Sequence, residues 1–234
     1  MKLSIVIPAY NESRHIVETL RIAFESLRQS HWNPYELIVS DDASTDDTAR
    51  LAEEMGAKVV HSGKRNIGAT RNVGAAAASG EYLLFVDADT HISVDLLNAM
   101  QRAVEEGAIG GGACIRWSEP SQAWWADRCM GLWNRISLLF CAPAGSFFFV
   151  RRDLFHKAGG FDESFFVSEE LHLGRKLKRL GRLTILRETV ATSPRKLHQF
   201  TLREHLLFFM SGILLPWKVL RDRKYLDIWY TRRG

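Results

Sequence analysis

Asp87-Ala88-Asp89 closes the apolar run from Tyr82 to Val86. Two carboxylates one residue apart at a strand end can both reach one hard cation, leaving its other positions to water and phosphate oxygens. Such a site would neutralise a departing diphosphate. Aspartate also favours strand-end turns for purely local reasons, so this pair gains weight from the company it keeps. Asp41-Asp42 ends a second apolar run in the same way, and Ser44, Thr45, Asp46 and Asp47 follow. A carboxylate at that edge can accept a hydrogen bond from a nucleobase imino group or a ribose hydroxyl. Helix capping accounts for Ser44 or Asp46 and leaves the doublet unexplained. The third segment, Asn66-Ile67-Gly68-Ala69-Thr70-Arg71-Asn72-Val73-Gly74, lets a helix start lie close to a ligand or a neighbouring strand, with Arg71 as a charged fork for phosphate or carboxylate. It is not a G-x-G-x-x-G turn after a strand, so the sequence does not support dinucleotide and hydride chemistry. The fourth runs from Gly159-Gly160-Phe161-Asp162-Glu163 to Glu169-Glu170-Leu171-His172. There one carboxylate at a helix start could face a cleft while its neighbour acts as a cap, although charge at a helix N-terminus is favourable in itself.

Stepping along the chain, β-branched apolar runs alternate with helical patterns through the first half, the mark of a parallel sheet with crossover helices. The pattern predicts strands at 3–7, 36–40, 57–61 and 82–86 and helices near 12–29, 46–55, 67–78 and 93–105. Asn11 is expected to cap the first helix and Ser44-Thr45-Asp46 the second. Ligands of such sheets gather at the carboxyl ends of the strands, which places Pro8 to Asn11, Asp41 to Asp46 and Asp87 to Asp89 on one edge. The second half predicts strands at 112–117, 146–150 and 183–187 and helices near 152–157 and 169–180, with a Trp-rich segment containing Trp124, Trp125 and Trp133 between them.

At 234 residues with 46% hydrophobic and 25% charged residues, the chain is long enough for one large α/β domain and too apolar for disorder. Cys114, Cys129 and Cys141 suit neither a disulfide framework nor a paired-cysteine metal site, and fit a reducing compartment. The opening apolar run is stopped by Pro8, too short for a secretory signal, so residence in the cytoplasm is expected. The charge-free stretches 136–150 and 205–217 fall short of the roughly 20 residues that span a bilayer. Residues 195–234 carry nine Lys and Arg against Glu204, Asp222 and Asp227, so the rest of the chain holds −2 of the net +4. A basic, aromatic tail around an apolar block predicts contact with an anionic membrane face rather than nucleic acid. Its alternatives are packing on the core or a homodimer interface.

In order and register, Ile5-Val6-Ile7-Pro8-Ala9-Tyr10-Asn11-Glu12, Asp41 to Asp46, Asn66 to Gly74, Asp87-Ala88-Asp89 and Gly159 to Glu163 with Glu169-Glu170 resemble the motifs of family 2 inverting glycosyltransferases. The resemblance covers roughly residues 3–185. It implies the GT-A fold, a Rossmann-like, mostly parallel α/β sheet with helices on both faces. It also implies a nucleotide-diphosphate sugar donor, UDP-sugar by default, and a divalent cation, Mn2+ or Mg2+. On this resemblance Pro8, Tyr10 and Glu12 belong to the nucleotide-pocket loop and Asp42 faces the base. Arg71 lies near the nucleotide or its phosphates. Asp89 is the more direct metal ligand, and Asp87 turns toward ribose or metal waters. Glu170 matches the catalytic base. The usual Glu-Asp-x-Asp reads Glu169-Glu170-Leu171-His172 here, a base one methylene longer, and the role of His172 stays open; Ser193-Pro194-Arg195-Lys196-Leu197-His198, after the last strand, could bring cations, or His198 as a ligand, back over the diphosphate.

The expected organisation is a catalytic domain over 1–194, with a nucleotide-sugar half (1–110) and an acceptor half (111–194), followed by a basic extension (195–234). The expected enzyme is a hexosyltransferase peripheral to the inner face of the cell membrane, acting on a lipid-linked or membrane-proximal acceptor. A soluble acceptor or a non-catalytic sugar-nucleotide-binding scaffold are the alternatives. A nucleotidyltransferase would need a glycine and lysine phosphate loop after the first strand, and Pro8-Ala9-Tyr10-Asn11 does not supply one.

Overall fold

The computed structural model describes residues 1–121, 123–166 and 168–195. The extension beyond Arg195 therefore lies outside the described residues. One sheet of eight strands organises them, in the order β3-β2-β1-β4-β7-β6-β8-β5. Its strands are β1 (Leu3–Ala9), β2 (Tyr35–Asp41), β3 (Lys58–His61), β4 (Tyr82–Val86), β5 (Thr90–His91), β6 (Gly110–Trp117), β7 (Phe147–Arg151) and β8 (Leu183–Thr192). The helices are α1 (Ile16–Gln29), α2 (Thr48–Glu54), α3 (Ile67–Ala76), α4 (Val94–Glu105), α5 (Trp124–Phe140), α6 (Arg152–Lys157) and α7 (Glu169–Leu177).

Strand β1 is buried along its whole length because its two faces feed two cores. Leu3, Ile5 and Ile7 pack with α1 and α4 through Leu20, Leu27, Leu96 and Met100, whereas Val6 points into the opposite layer with Phe85, Phe148 and Phe161. Strand β7 alternates in the same way, Phe147 and Phe149 to one side and Phe148 and Val150 to the other. This is the two-residue period of a strand covered on both faces. Helix α1 adds the complementary pattern: Ile16, Leu20, Ala23 and Leu27 make a buried stripe at helical spacing.

The first half is parallel throughout, β2 and β4 flanking β1 and β3 extending β2. The β1–β4 ladder stops at Val6–Phe85, before Pro8, which lacks the N–H a central strand would need. The second half departs from a parallel pattern, since β7 runs antiparallel to both β4 and β6. Strand β8 is ten residues long, twice its expected length. It passes a register shift opposite Ala113 and Cys114 that leaves the charged Arg187 and Glu188 unmatched, then continues through Thr189 to Thr192. Beyond the shift it gains β5, a two-residue strand that periodicity cannot reveal.

Two local expectations need correction. Helix α1 begins at Ile16 rather than residue 12, and His15 is its N-cap with no side-chain bond. Asn11 caps nothing there: its backbone is left-handed (φ 52°), and its side-chain oxygen accepts from the Thr45 N–H at 2.7 Å. The Trp-rich segment is the 17-residue α5, closed by Cys141 in a left-handed conformation.

Candidate active site

The carboxyl ends of β1, β2 and β4 meet where the strand order reverses, with β2 and β3 laid down on one side of β1 and β4 on the other, the switch point at which open α/β sheets bind ligands. Each loop there is pinned by its neighbour. The Asn11 N–H donates to Ser44 Oγ and the Glu12 N–H to Thr48 Oγ1 at 2.7 Å, so the loops after β1 and β2 form one unit. Asp46 accepts from the Thr48 N–H and secures the first turn of α2. Asp42 is buried and accepts from the Arg65 N–H at 2.8 Å, while the Arg65 guanidinium lies 4.0 Å over the Tyr10 ring. Pro8 is buried in β1, and Tyr10 and Asp42 border the loops that follow it.

The deepest element is Arg71, whose side chain is 2% exposed. It rises from α3, which starts where the Asn66 side chain accepts from the Ala69 N–H. Its guanidinium donates to Glu169 Oε1, to Asp87 Oδ1 at 2.8 Å and to the Gly145 carbonyl at 3.0 Å. A Cβ on Gly145 would stand 3.0 Å from Arg71 Nη2, so any larger residue there would press on the guanidinium. Thus Arg71 spends its fork on protein groups and ties the Asp87 strand end to the start of α7.

The loop before α7 is held by the same helix α3. Asn66 Nδ2 donates to the Glu163 and Phe165 carbonyls, and Asn72 both accepts from the Phe161 N–H and donates to its carbonyl. Gly160 has φ 67°, and a Cβ there would come 2.8 Å from Asn72 Oδ1. The glycine pair is therefore a fixed turn. Ser168, left-handed at φ 62°, sets up α7 so that Glu169 is buried against Arg71.

Glu170 is partly buried beside this cluster, its carboxyl carbon 3.5 Å from where a Gly145 Cβ would be. Desolvation first, and the Glu169 charge second, push its carboxyl up to about 8, against the opposing pull of Arg71. A group with that affinity can take a proton from a hydroxyl near neutral pH and above. His172 stacks on Phe165 at 4.9 Å between ring centres, with Nε2 3.8 Å from Asp162 Oδ2.

A second arginine completes the edge. Arg195 donates through Nη1 and Nη2 to the two oxygens of Glu12 at 2.7 and 2.8 Å, and its Nε lies 2.8 Å from Asp89 Oδ2. It arrives there because β8 is sewn to the loop after β4: Thr192 pairs with Thr90, and the Ser193 N–H donates to the Asp89 carbonyl at 3.2 Å. Residues anticipated one by one are thus joined into two neighbouring clusters, Arg71–Asp87–Glu169 with Glu170, and Arg195–Glu12–Asp89. Asp42 stands apart from both, on the Arg65 side. Gly145 was not among the anticipated site residues, Glu169 was expected only as one of an acidic doublet at a helix start, and Arg195 only as one of the cations that the segment after β8 could bring back to this edge. The Pro143-Ala144-Gly145 turn before β7 and the arginine after Ser193-Pro194 were the available signals. His198 lies outside the described residues.

Asp87 and Asp89 are hard oxygen donors one residue apart, and the side chain of Asp89, 10% exposed, is already balanced by a cation. That donor set fits a divalent metal, although no cluster of three or more His, Cys, Asp or Glu suited to an ion occurs among the described residues.

A mixed sheet with helices on both faces and carboxylates at this switch point defines a GT-A fold. Solved structures share it. S. aureus TarS 1-349, in a complex with UDP-GlcNAc, superposes with a TM-score of 0.63 at 20% identity, over 97% of this chain and 69% of that one. The mannosyltransferase PcManGT of Pyrobaculum calidifontis, in complex with GDP-Man and Mn2+, gives 0.67 at 18% identity, over 97% and 68%. Glycosyl transferase family 2 matches residues 4–159, and the chain belongs to that family. Among curated relatives, the poly(ribitol-phosphate) beta-N-acetylglucosaminyltransferase TarS of Staphylococcus aureus is 31% identical over 113 residues, 45% of this chain and 19% of TarS. EpsH of Bacillus subtilis, which carries a glycosyltransferase name, is 34% identical over 105 residues, 43% of this chain and 29% of its own length. The chain thus spans less than a third of these relatives. The family match ends before Glu169-Glu170.

Proposed function

We propose that the chain is a metal-dependent inverting glycosyltransferase that moves a sugar from a nucleotide-diphosphate donor, a UDP-sugar, to an acceptor hydroxyl in one in-line displacement. The observation that carries this reading is the position of Glu170 at the start of α7, beside the Glu169 that Arg71 ties to Asp87 at the end of β4. The sugar nucleotides bound by TarS and by PcManGT support the donor class.

In this mechanism Glu170 accepts the proton of the acceptor hydroxyl as its oxygen bonds to the anomeric carbon. The bond from that carbon to the diphosphate oxygen breaks on the opposite face, which inverts the centre. Arg71 acts through other groups: it fixes Glu169 and Asp87, and so sets where Glu170 stands relative to the strand end. Pro8, Tyr10 and Glu12 would border the nucleotide, with Asp42 toward the base. Asp89, with Asp87 beside it, would hold the divalent cation. That cation, when bound, supplies Lewis-acid stabilisation of the leaving diphosphate. Residues 1–110 would then form the donor half and 111–194 the acceptor half, with 195–234 as an extension.

The acceptor is proposed to be lipid-linked or membrane-proximal, with the protein peripheral to the membrane. Helix α5 supports this: Leu132, Leu139 and Phe140 are 57%, 77% and 63% exposed. Arg128 and Arg135 are exposed on the same helix, and the Lys178 Nζ donates to the Phe140 carbonyl. Apolar side chains rimmed by cations suit an anionic bilayer interface. Among the described residues no helix is long and apolar enough to cross a membrane.

A thermal-shift panel of nucleotide sugars, each with and without Mn2+, tests the donor reading, because a ligand selective for the folded state raises the melting temperature. The expected result is a shift by a UDP-sugar that requires metal. No shift with any nucleotide sugar would overturn it.

A further inference from the structure

We infer that Arg195 is a resident cation of the Asp89 site, which a divalent metal must displace before it can bind. The inference rests on the metal reading of Asp89 proposed above. Glu12 and Asp89 have side chains only 8% and 10% exposed, and two carboxylates so far withdrawn from water need a positive partner. Arg195 supplies it with its whole guanidinium, Nη1 and Nη2 on Glu12 and Nε on Asp89. A guanidinium N–H held 2.8 Å from Asp89 Oδ2 takes one lone-pair direction of that oxygen, for which an approaching metal must compete. A second full positive charge at that distance is also repelled by the first. The two cations therefore compete for Asp89.

Arg195 is built to be exchanged. Its side chain is 24% exposed, against 2% for Arg71, and it stands two residues beyond the Ser193–Asp89 backbone bond. Releasing it requires a side-chain rotation and leaves the β5–β8 pairing intact. Metal loading would thus also unfasten the start of the extension from the donor edge. The apo protein should bind Mn2+ less tightly than its carboxylates alone would allow, with Arg195 as the brake.

Mn2+ affinity can be read without turnover, from the electron paramagnetic resonance signal of free Mn2+ titrated with the full chain, nucleotide absent. Arg195→Gln is expected to tighten the dissociation constant by about three- to tenfold, the range of one freed ion-pair competitor. Arg195→Lys, which keeps the charge and loses the fork that spans Glu12 and Asp89, should fall between wild type and Arg195→Gln. Asp89→Asn should weaken binding both alone and combined with Arg195→Gln. Unchanged or weaker binding in Arg195→Gln, with Asp89→Asn still weak, overturns the inference and leaves the metal site standing. Wild-type binding in Asp89→Asn overturns the metal assignment and the inference with it. A second measurement needs no variant: trypsin should cut the Arg195–Lys196 bond of the wild-type chain severalfold faster with saturating Mn2+. Equal cleavage rates with and without Mn2+ would contradict the displacement.

Discussion

Two arginines in this molecule do the same pairing chemistry in opposite surroundings. Arg71 bridges Asp87 and Glu169 with its side chain 2% exposed, and Arg195 bridges Asp89 and Glu12 at 24%. The first is enclosed by α3, the turn before β7 and the start of α7. The second is reached from one side, by the strand end of β8. In a withdrawn site a lost partner leaves a bare charge that nothing solvates, whereas at an edge water can take its place. Arg71 is therefore scaffold, and Arg195 is a tenant.

That contrast can be broken most forcefully at Arg71. Arg71→Met should cost about 3–5 kcal/mol in denaturant unfolding, because Glu169 and Asp87 are left without their cation; a loss under about 1 kcal/mol would mean that the buried cluster supports nothing. The next largest effect is on pH dependence. With Glu170 at about 8, donor hydrolysis should rise about tenfold per pH unit below that value and level off above it. Glu169→Gln removes the neighbouring negative charge and should move this limb to lower pH. A limb that stays in place would show that burial alone holds Glu170 up. The folding side has a definite sign. A carboxyl raised from 4.5 to about 8 contributes stability below pH 4.5, and that contribution is lost as the pH climbs through 8. Denaturation of Glu170→Gln should lack this part of the wild-type pH dependence between those limits. The smallest effect belongs to Arg195→Gln, expected to cost about 1–2 kcal/mol in the same unfolding experiment, because Glu12 and Asp89 are withdrawn from water while water can still enter where the arginine stood. A cost equal to that of Arg71→Met would erase the distinction between the two arginines.

Much of the donor half could be read in advance because its strands are continuous apolar runs with acids at their ends. Val86-Asp87 and Asp42-Ala43 mark the boundary where burial gives way to the ligand edge. The second half was harder for physical reasons. A run such as Phe147 to Val150, buried on both faces, reads the same whether it runs parallel or antiparallel. Helix α5 leaves Leu139 and Phe140 exposed, so its apolar positions do not trace a single buried stripe. Arg71 was recognisable as a charged fork, but its Glu169 partner lies 98 residues away and its Gly145 acceptor is a backbone carbonyl with no side-chain signature. Arg195 belongs to a basic stretch whose composition points outward to an anionic partner, yet its guanidinium turns inward to Glu12 and Asp89.

The most direct test of the whole account is single-turnover hydrolysis of a bound UDP-sugar by wild type and by Glu170→Gln, with Mn2+ present and donor affinity measured alongside. Removing the base should slow the reaction by about 10²- to 10⁴-fold while donor binding holds. Equal rates in the two proteins at equal occupancy would contradict the assignment of Glu170 as the group that takes the proton.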